Sequence, residues 1–150
     1  MTIELNLSWQ GGMQGTGIVK GSEVEFPISI PTVYGGKGTG SNPKELYVAS
    51  TAACFLATLS AISDNKKLPV AALNVATKAV EGDEGFTIHH TAFIALAPQA
   101  SDADKAKALE YVATADKICA VGNLARKAGV DVTATAEVTI AAAQTEESDA

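Results

Sequence analysis

The sequence has few of the residues that build common metal and redox centres. It contains only two cysteines, Cys54 and Cys119, and no Cys-x-x-C pair, which argues against a zinc knuckle and a thioredoxin-type site. Its two histidines, His89 and His90, are adjacent in a predicted strand, so their side chains point to opposite faces and cannot easily share one metal ion. We therefore expect no metal site, with one histidine in the core and the other at the surface.

Positive charge is also scarce, and Arg126 is the only arginine. Lysine and arginine total 11 against 17 acidic residues, a net charge of −6, which argues against nucleic acid and anionic membrane surfaces as partners. The N-terminus has neither a basic region nor a continuous apolar core, so we expect no signal peptide and a cytoplasmic location. With 150 residues and 47% apolar content, the chain is expected to form one domain over residues 1–142, followed by an acidic flexible tail at 143–150.

The longest apolar stretch, residues 41–65, predicts the helix around which the rest of the chain is organised. Asn42 suits the N-cap, Pro43 the first helical position and Glu45 the third position of a capping box. The stretch is apolar on nearly all sides, which indicates burial. A core helix is favoured over a membrane span because hydroxyl residues interrupt the run; these are Ser50, Thr51, Thr58, Ser60 and Ser63.

Alternating and helical periodicities predict the remaining elements. Strands are expected at residues 2–9, 18–20, 23–30, 71–80, 86–97 and 130–141, the first of them half-buried, with helices after Ser101 and near Cys119. The apolar side of the helix after Ser101 is predicted to comprise Ala106, Leu109, Val112, Ala113 and Ile118. The order β-β-β-α-β-β-α-α-β indicates an α+β fold with two small, mainly antiparallel sheets around the long buried helix. Such small sheets would struggle to cover a helix that is apolar all round, which predicts a homodimer with this helix at its centre.

Four segments together resemble the OsmC/Ohr family. The helix motif N-P-K-E-L-Y-V-A-S-T-A-A-C-F (residues 42–55) is similar to that family's cysteine-bearing motif, and S-W-Q-G-G-M-Q-G-T-G (residues 8–17) resembles the opening of its OsmC branch. G-F-T-I at residues 85–88 and Cys119, followed by a helix and V-D-V-T-A-T, complete the pattern. The resemblance covers nearly the whole chain.

This resemblance implies a thiol peroxidase that reduces organic hydroperoxides as an intertwined homodimer. Cys54 would be the attacking cysteine, and Cys119 would condense with its sulfenic acid to form a disulfide. A dithiol reductant, either a lipoylated protein or a small thiol, would reduce that disulfide. The substrate would be a small hydrophobic peroxide, and no metal, haem or flavin cofactor would be needed.

The chain departs from the family where the attacking thiolate is stabilised. The family uses an arginine and a glutamate, whereas Met13 or Tyr34 stands where an arginine is expected and Lys44 stands where the glutamate is expected. Lys44 lies about 80° from Cys54 on a helical wheel and Glu45 about 180° from it. Lys44, or Lys37 in the preceding loop, is therefore a candidate thiolate-stabilising charge, and Glu45 is better interpreted as part of the capping box.

Two functions remain open from the sequence. The first is the peroxidase, with an apolar cleft whose wall is predicted to include Tyr47, Thr51, Phe55, Met13 and Tyr34. The second is a family member without efficient peroxidase activity, which binds a small hydrophobic ligand or acts as a redox sensor. The sequence also leaves open that Cys54 is an inert core cysteine, since free cysteine is often buried.

Overall fold

The computed structural model describes residues 1–143, and most of the predicted acidic tail lies outside them. The chain forms two compact units that divide between Ala49 and Ser50, within a single long helix. The predicted order of elements is confirmed: three strands, a helix, two strands, two helices and a final strand. The prediction of a single domain over residues 1–142 stays a prediction.

The unit up to Ala49 contains an antiparallel sheet of β1 (Asn6–Gln10), β2 (Thr16–Lys20) and β3 (Glu25–Ser29), in that order. β3 is an edge strand, which explains how it tolerates Pro27, a residue that cannot donate to a ladder. All five residues of β1 are exposed, although the alternation in its sequence predicts a half-buried strand. That prediction is wrong for the single chain, in which Trp9 remains 41% exposed.

The loop before the long helix is attached to β3. Backbone hydrogen bonds join Ser41 N–H to the Pro27 carbonyl at 3.0 Å and Ser29 N–H to the Ser41 carbonyl at 3.2 Å. The loop approaches the sheet so closely that a Cβ at Gly36 would lie 1.9 Å from the Ile30 carbonyl oxygen. Only glycine fits there, and the loop thereby fixes where the helix starts.

The long helix, α1, covers Pro43–Asn65. Its predicted cap is confirmed, because Asn42 Oδ1 accepts a hydrogen bond from Glu45 N–H at 2.9 Å. Only one stripe, at every fourth residue, is buried in the single chain: Thr51, Phe55, Leu59 and Ser63. α1 is long and apolar enough to cross a membrane by length and composition alone, a test that core helices of soluble proteins also pass. The exposed apolar faces are what the predicted dimer would cover, and the dimer stays a prediction.

The second unit begins at Ser50 and carries the larger sheet. β4 (Val70–Gly82) and β5 (Gly85–Leu96) form an antiparallel hairpin, and β6 (Asp131–Ile140) pairs with β5 in parallel. Two helices, α2 (Asp102–Ile118) and α3 (Ala120–Lys127), lie between β5 and β6 in the chain. The core joins α1, β5 and α2, and its most buried members include Phe55, Leu59, Ala92, Ile94, Leu96, Ala108, Val112 and Ala115.

The predicted apolar side of α2 is largely wrong. Among the five predicted residues only Val112 is buried, whereas Leu109 is 51% and Ile118 55% exposed. The buried positions are instead Ala108, Val112 and Ala115, which share one helical face. Two of these three residues are alanines, so α2 packs through a narrow face of small side chains that a search for large apolar residues misses.

The predicted caps of the last two helices are confirmed. Ser101 Oγ accepts from Asp104 N–H at 3.2 Å, and Asp104 Oδ2 accepts from Ser101 N–H at 2.9 Å, which completes a capping box. At the end of α3, Gly129 has φ 87°. Its N–H donates to the Arg126 carbonyl, and Val130 N–H donates to the Ala125 carbonyl, each at 3.0 Å. This is the glycine-terminated C-cap that the sequence indicates.

Ser101→Ala is expected to lower the free energy of unfolding by about 1 kcal/mol, the usual loss for a helix N-cap. The substitution leaves Asp104 N–H, a donor at the start of α2, without its side-chain acceptor. Chemical denaturation would measure the loss, with Ser101→Asp as the matched control because its carboxylate can still accept. Equal stability of Ser101→Ala and the wild type would contradict a contribution from this cap.

Candidate functional site

Cys54 and Cys119, the two cysteines of the sequence, lie together in the unit that begins at Ser50. Cys54 lies about three turns into α1 and is half-buried, and Cys119 lies between α2 and α3 and is 3% exposed. Both are free thiols, and the Cys119 thiol donates a hydrogen bond to the Cys54 sulfur. The fold thus brings together two groups that are far apart in the sequence.

The position of Cys119 follows from the corner between the two helices. α2 ends at Ile118 and α3 begins at Ala120, so Cys119 is at once the C-cap of α2 and the N-cap of α3. Its backbone is extended, with φ −60° and ψ 112°, and its side chain makes no capping hydrogen bond. The first N–H groups of α3, those of Ala120, Val121 and Gly122, therefore lack a capping oxygen, and the Val121 and Gly122 N–H groups are directed at the Cys119 sulfur.

Two of these three N–H groups are also directed at Cys54. Val121 N–H and Ala120 N–H both donate to the Cys54 sulfur, and the Thr58 hydroxyl is a further donor. Thr58 Oγ1 also lies 2.7 Å from the Cys54 carbonyl oxygen, so its single proton serves one acceptor at a time. The sulfur therefore sits at the positive end of a helix, an environment that favours a thiolate.

The pKa values of the two thiols are shifted in opposite directions. Burial raises the pKa of Cys54, but hydrogen bonds from Val121 N–H, the Cys119 thiol and other donors outweigh it, and the net pKa is lowered. Burial raises the pKa of Cys119, and the hydrogen bond to Cys54 and the charge of Cys54 raise it further; the Gly122 and Val121 N–H groups lower it, but the net pKa is raised. Cys54 therefore ionises first, while Cys119 keeps its proton and donates it in the hydrogen bond.

The sequence did not predict the amide groups of α3 as the source of this stabilisation. Backbone amides have no residue signature, and the donors are contributed by a distant part of the chain. One signal was present: a helix starts at Cys119 without Ser, Thr, Asp or Asn at its N-cap. An uncapped helix start next to a cysteine indicates free N–H donors near a sulfur.

The candidate supporting cations lie in the unit up to Ala49. Lys44 Nζ contacts the Tyr34 hydroxyl at 2.9 Å and lies 5.2 Å from the centre of the Tyr34 ring. Lys37 is exposed. Glu45 accepts a hydrogen bond from the Ser41 hydroxyl at 2.9 Å, and the second hydrogen bond of its capping box, from Asn42 N–H, stays a prediction. Roles of these three residues in stabilising the Cys54 thiolate stay predictions.

The predicted pocket wall is divided between the two units. Met13, Tyr34 and Tyr47 are 60%, 57% and 37% exposed in the single chain. Thr51 and Phe55, in contrast, have no exposed surface and belong to the buried stripe of α1. In the single chain these two residues are part of the core, and their part in a substrate cleft stays a prediction.

An apolar groove of about 380 Å³ lies in the unit up to Ala49. Tyr34 is the one predicted wall residue that lines it, and Lys44 lies at the same groove with its ammonium group on Tyr34. The other residues lining it are Trp9, Ile28, Ser29, Ile30, Pro31, Asn42 and Pro43. The groove would accept an apolar molecule, and it is the feature that favours a ligand-binding role.

The two histidines lie as predicted, one in the core and one on the opposite face of the sheet. His90 is 1% exposed, stacks on Phe55 with ring centres 4.9 Å apart, and its Nδ1 lies 2.8 Å from Thr77 Oγ1. His89 contacts two threonine hydroxyls of β6, at 2.7 and 2.9 Å. Within residues 1–143 no three histidine, cysteine or acidic side chains are grouped so as to hold a metal ion.

The folded protein is expected to lose stability as the pH falls because of His90. Burial lowers the pKa of His90 from its ordinary value of 6.5, the charges of His89 and Arg126 lower it further, and Asp116 opposes them. The unfolded chain therefore binds a proton near pH 6.5 that the folded chain still excludes. The contribution is fully present above about pH 6.5 and is lost as the pH falls toward the folded pKa.

Urea unfolding at about pH 7.5 and about pH 5.5 would measure this dependence. His90→Gln removes the titrating group, so the fall in stability between the two values should be smaller than in the wild type. The same fall in both proteins would exclude His90 as its source.

Comparison with known proteins agrees with this fold. Residues 36–135 match the family described as "OsmC-like protein". An organic hydroperoxide resistance protein of Xanthomonas axonopodis pv. citri is 30% identical over 131 residues, which cover 83% of this chain and 87% of that protein. The uncharacterized protein YmaD of Bacillus subtilis is 28% identical over 122 residues, covering 78% of this chain and 81% of that protein.

A solved structure supports the same architecture. The crystal structure of an organic hydroperoxide resistance protein OsmC from Legionella pneumophila matches with a TM-score of 0.62 and 22% identity, over 91% of this chain and 96% of that chain. At this identity the likeness is one of fold. The family match over residues 36–135 and the 30% identity to the Xanthomonas protein show more than a shared fold: the chain belongs to the OsmC-like family.

Proposed function

We propose that this protein is a thiol-dependent peroxidase that reduces organic hydroperoxides, with Cys54 as the attacking thiolate and Cys119 as the resolving thiol. The observation that carries the proposal is the pair of sulfurs at the start of α3. Burial raises the pKa of Cys54 there, but hydrogen bonds from Val121 N–H and the Cys119 thiol outweigh burial and lower it. A relative named an organic hydroperoxide resistance protein supports the substrate class.

The first step consumes the peroxide. The Cys54 thiolate attacks the distal oxygen of ROOH, an S–O bond forms as the O–O bond breaks, and Cys54 becomes a sulfenic acid. The leaving alkoxide takes a proton and departs as the alcohol. The amides of Ala120 and Val121, which hold the thiolate before attack, lower the free energy of the ionised state without any arginine.

The second step regenerates a stable form. The Cys119 sulfur attacks the Cys54 sulfenic sulfur, an S–S bond forms, the S–O bond breaks, and hydroxide leaves as water after taking up the Cys119 proton. An external dithiol, a lipoylated protein or a small thiol, then reduces the disulfide by two exchanges and is itself oxidised. The sum is reduction of one hydroperoxide to alcohol and water by one dithiol.

The proposal includes a homodimer in the cytoplasm. The apolar faces of α1 that stay exposed in the single chain require cover, and a cytoplasmic location keeps both thiols reduced between turnovers. Light scattering at micromolar concentration should therefore give twice the chain mass. A monomer at that concentration would contradict the dimer without affecting the chemistry of the two sulfurs.

Free-thiol titration before and after one equivalent of cumene hydroperoxide tests the chemistry. The peroxidase predicts rapid loss of both thiols in each chain, and their return on addition of a dithiol. Slow loss over hours with no fixed stoichiometry would instead favour the ligand-binding or redox-sensing alternative, for which the apolar groove beside Tyr34 is the supporting feature.

A further inference from the structure

We infer that Arg126 is a positioning residue for Cys54: it holds the first turn of α3 in the place from which its amides reach the sulfur. The inference rests on the proposed function, since it concerns the same thiolate. It assigns the only arginine of the chain a role in fixing backbone geometry, and not as a cation beside the sulfur.

The guanidinium of Arg126 joins three elements of the second unit. Nη1 donates to the Asp116 carbonyl oxygen and to Asn123 Oδ1, each at 2.9 Å. Nη2 donates to Asp116 Oδ1 at 2.6 Å and to the Val132 carbonyl at 2.9 Å. One planar group therefore ties the last turn of α2 to α3 and to the start of β6.

Asn123 extends this connection to the corner that carries Cys119. Its side-chain amide donates to the Lys117 carbonyl at 3.0 Å, and its backbone N–H donates to the Cys119 carbonyl at 2.9 Å. Arg126 and Asn123 thus connect the end of α2 to α3 by hydrogen bonds and hold the corner at Cys119 in place. The first turn of α3, whose Ala120 and Val121 N–H groups reach Cys54, lies within this corner.

These contacts are needed because α3 is short and because the strength of a hydrogen bond depends steeply on its geometry. A helix of eight residues is not stable by itself, so tertiary contacts must hold it. An N–H···S contact weakens quickly when the donor shifts or rotates. Loss of the Arg126 contacts would therefore weaken the hydrogen bonds from α3 to Cys54, although the guanidinium of Arg126 pairs with Asp116 and not with the sulfur.

Substitution by lysine separates positioning from charge. Lysine keeps the positive charge but lacks the planar fork that serves four acceptors at once. If Arg126 acted as a cation near the sulfur, Arg126→Lys would keep the Cys54 thiolate and Arg126→Met would lose it. If Arg126 is a positioning residue, both variants should lose the Cys54 thiolate.

The test is the pH dependence of Cys54 alkylation by iodoacetamide, with mass spectrometry to separate Cys54 from Cys119. In the wild type the midpoint should lie below that of an ordinary thiol. In both Arg126→Met and Arg126→Lys it should move up, with a several-fold loss of alkylation rate at neutral pH. Asn123→Ala should move it in the same direction and serves in place of Arg126→Met if that variant fails to fold.

Leu73→Ala, a truncation in β4, is the control for general destabilisation. It should lower stability and leave the midpoint unchanged. An unchanged midpoint in Arg126→Met or Asn123→Ala, a wild-type midpoint in Arg126→Lys, or an equal shift in Leu73→Ala would overturn the inference while the proposed function stands. A wild-type midpoint at or above that of an ordinary thiol would overturn both.

Discussion

Cys54→Ser is expected to reduce hydroperoxide consumption to the rate of the uncatalysed reaction. The serine hydroxyl stays protonated where the Cys54 thiol ionises, so the donors from α3 have no anion to stabilise and no nucleophile attacks the peroxide. The measurement is the decrease in cumene hydroperoxide with time in the presence of a dithiol. Measurable turnover by this variant would exclude Cys54 as the attacking group.

Cys119→Ser is the matched control, because it changes the other sulfur in the same site. Cys54 keeps its amide donors, so it should still reduce one equivalent of peroxide and then stop as a sulfenic acid, which dimedone would trap for mass spectrometry. Turnover with a dithiol should fall, since no internal disulfide forms. If Cys119→Ser turned over as fast as the wild type, the resolving role of Cys119 would be wrong.

The sequence predicted the order of elements well because the signals for those elements are local. Asn42, Pro43 and Glu45 mark the start of α1, Ser101 and Asp104 mark the start of α2, and all five lie where the caps require. Which face of an element is buried was harder to predict, since it depends on neighbours from elsewhere in the chain. In α2 the sequence favoured Leu109 and Ile118, but the buried face consists of Ala108, Val112 and Ala115.

The site shows the same division between local and distant information. The motif around Cys54 predicts an attacking cysteine, and the family resemblance implies Cys119 as its partner. The sequence points to Lys44 and Lys37 as anion-stabilising groups, because cationic side chains can be recognised in a sequence. The structure directs the backbone N–H groups of Ala120 and Val121 at the sulfur, whereas the roles of the two lysines stay predictions. Donors of this kind become visible only when the fold places a helix start beside the thiol.

Phe55→Ala is expected to lower the free energy of unfolding by about 3–5 kcal/mol, the usual cost of truncating a buried phenylalanine. Phe55 has no exposed surface, and its ring lies nearly parallel to that of His90, with an angle of 8° between the planes. The substitution would leave a cavity between α1 and β5 and remove the stacking partner of a buried histidine. Urea denaturation at one fixed protein concentration would measure the change, since a dimer makes stability concentration-dependent.

Phe93→Ala is the matched control for this prediction. It also truncates a phenylalanine, but Phe93 lies on the face of β5 opposite to the one that packs against Phe55 of α1. Phe93 is 39% exposed, so its truncation should cost clearly less than that of Phe55. The pair also decides between two interpretations of Phe55, as core residue or as wall of the substrate cleft. A core residue predicts lost stability with the chemistry of Cys54 intact in the fraction that remains folded. Wild-type stability with a raised KM for bulky hydroperoxides would instead place Phe55 in the cleft, because a side chain that contacts only substrate adds nothing to folding.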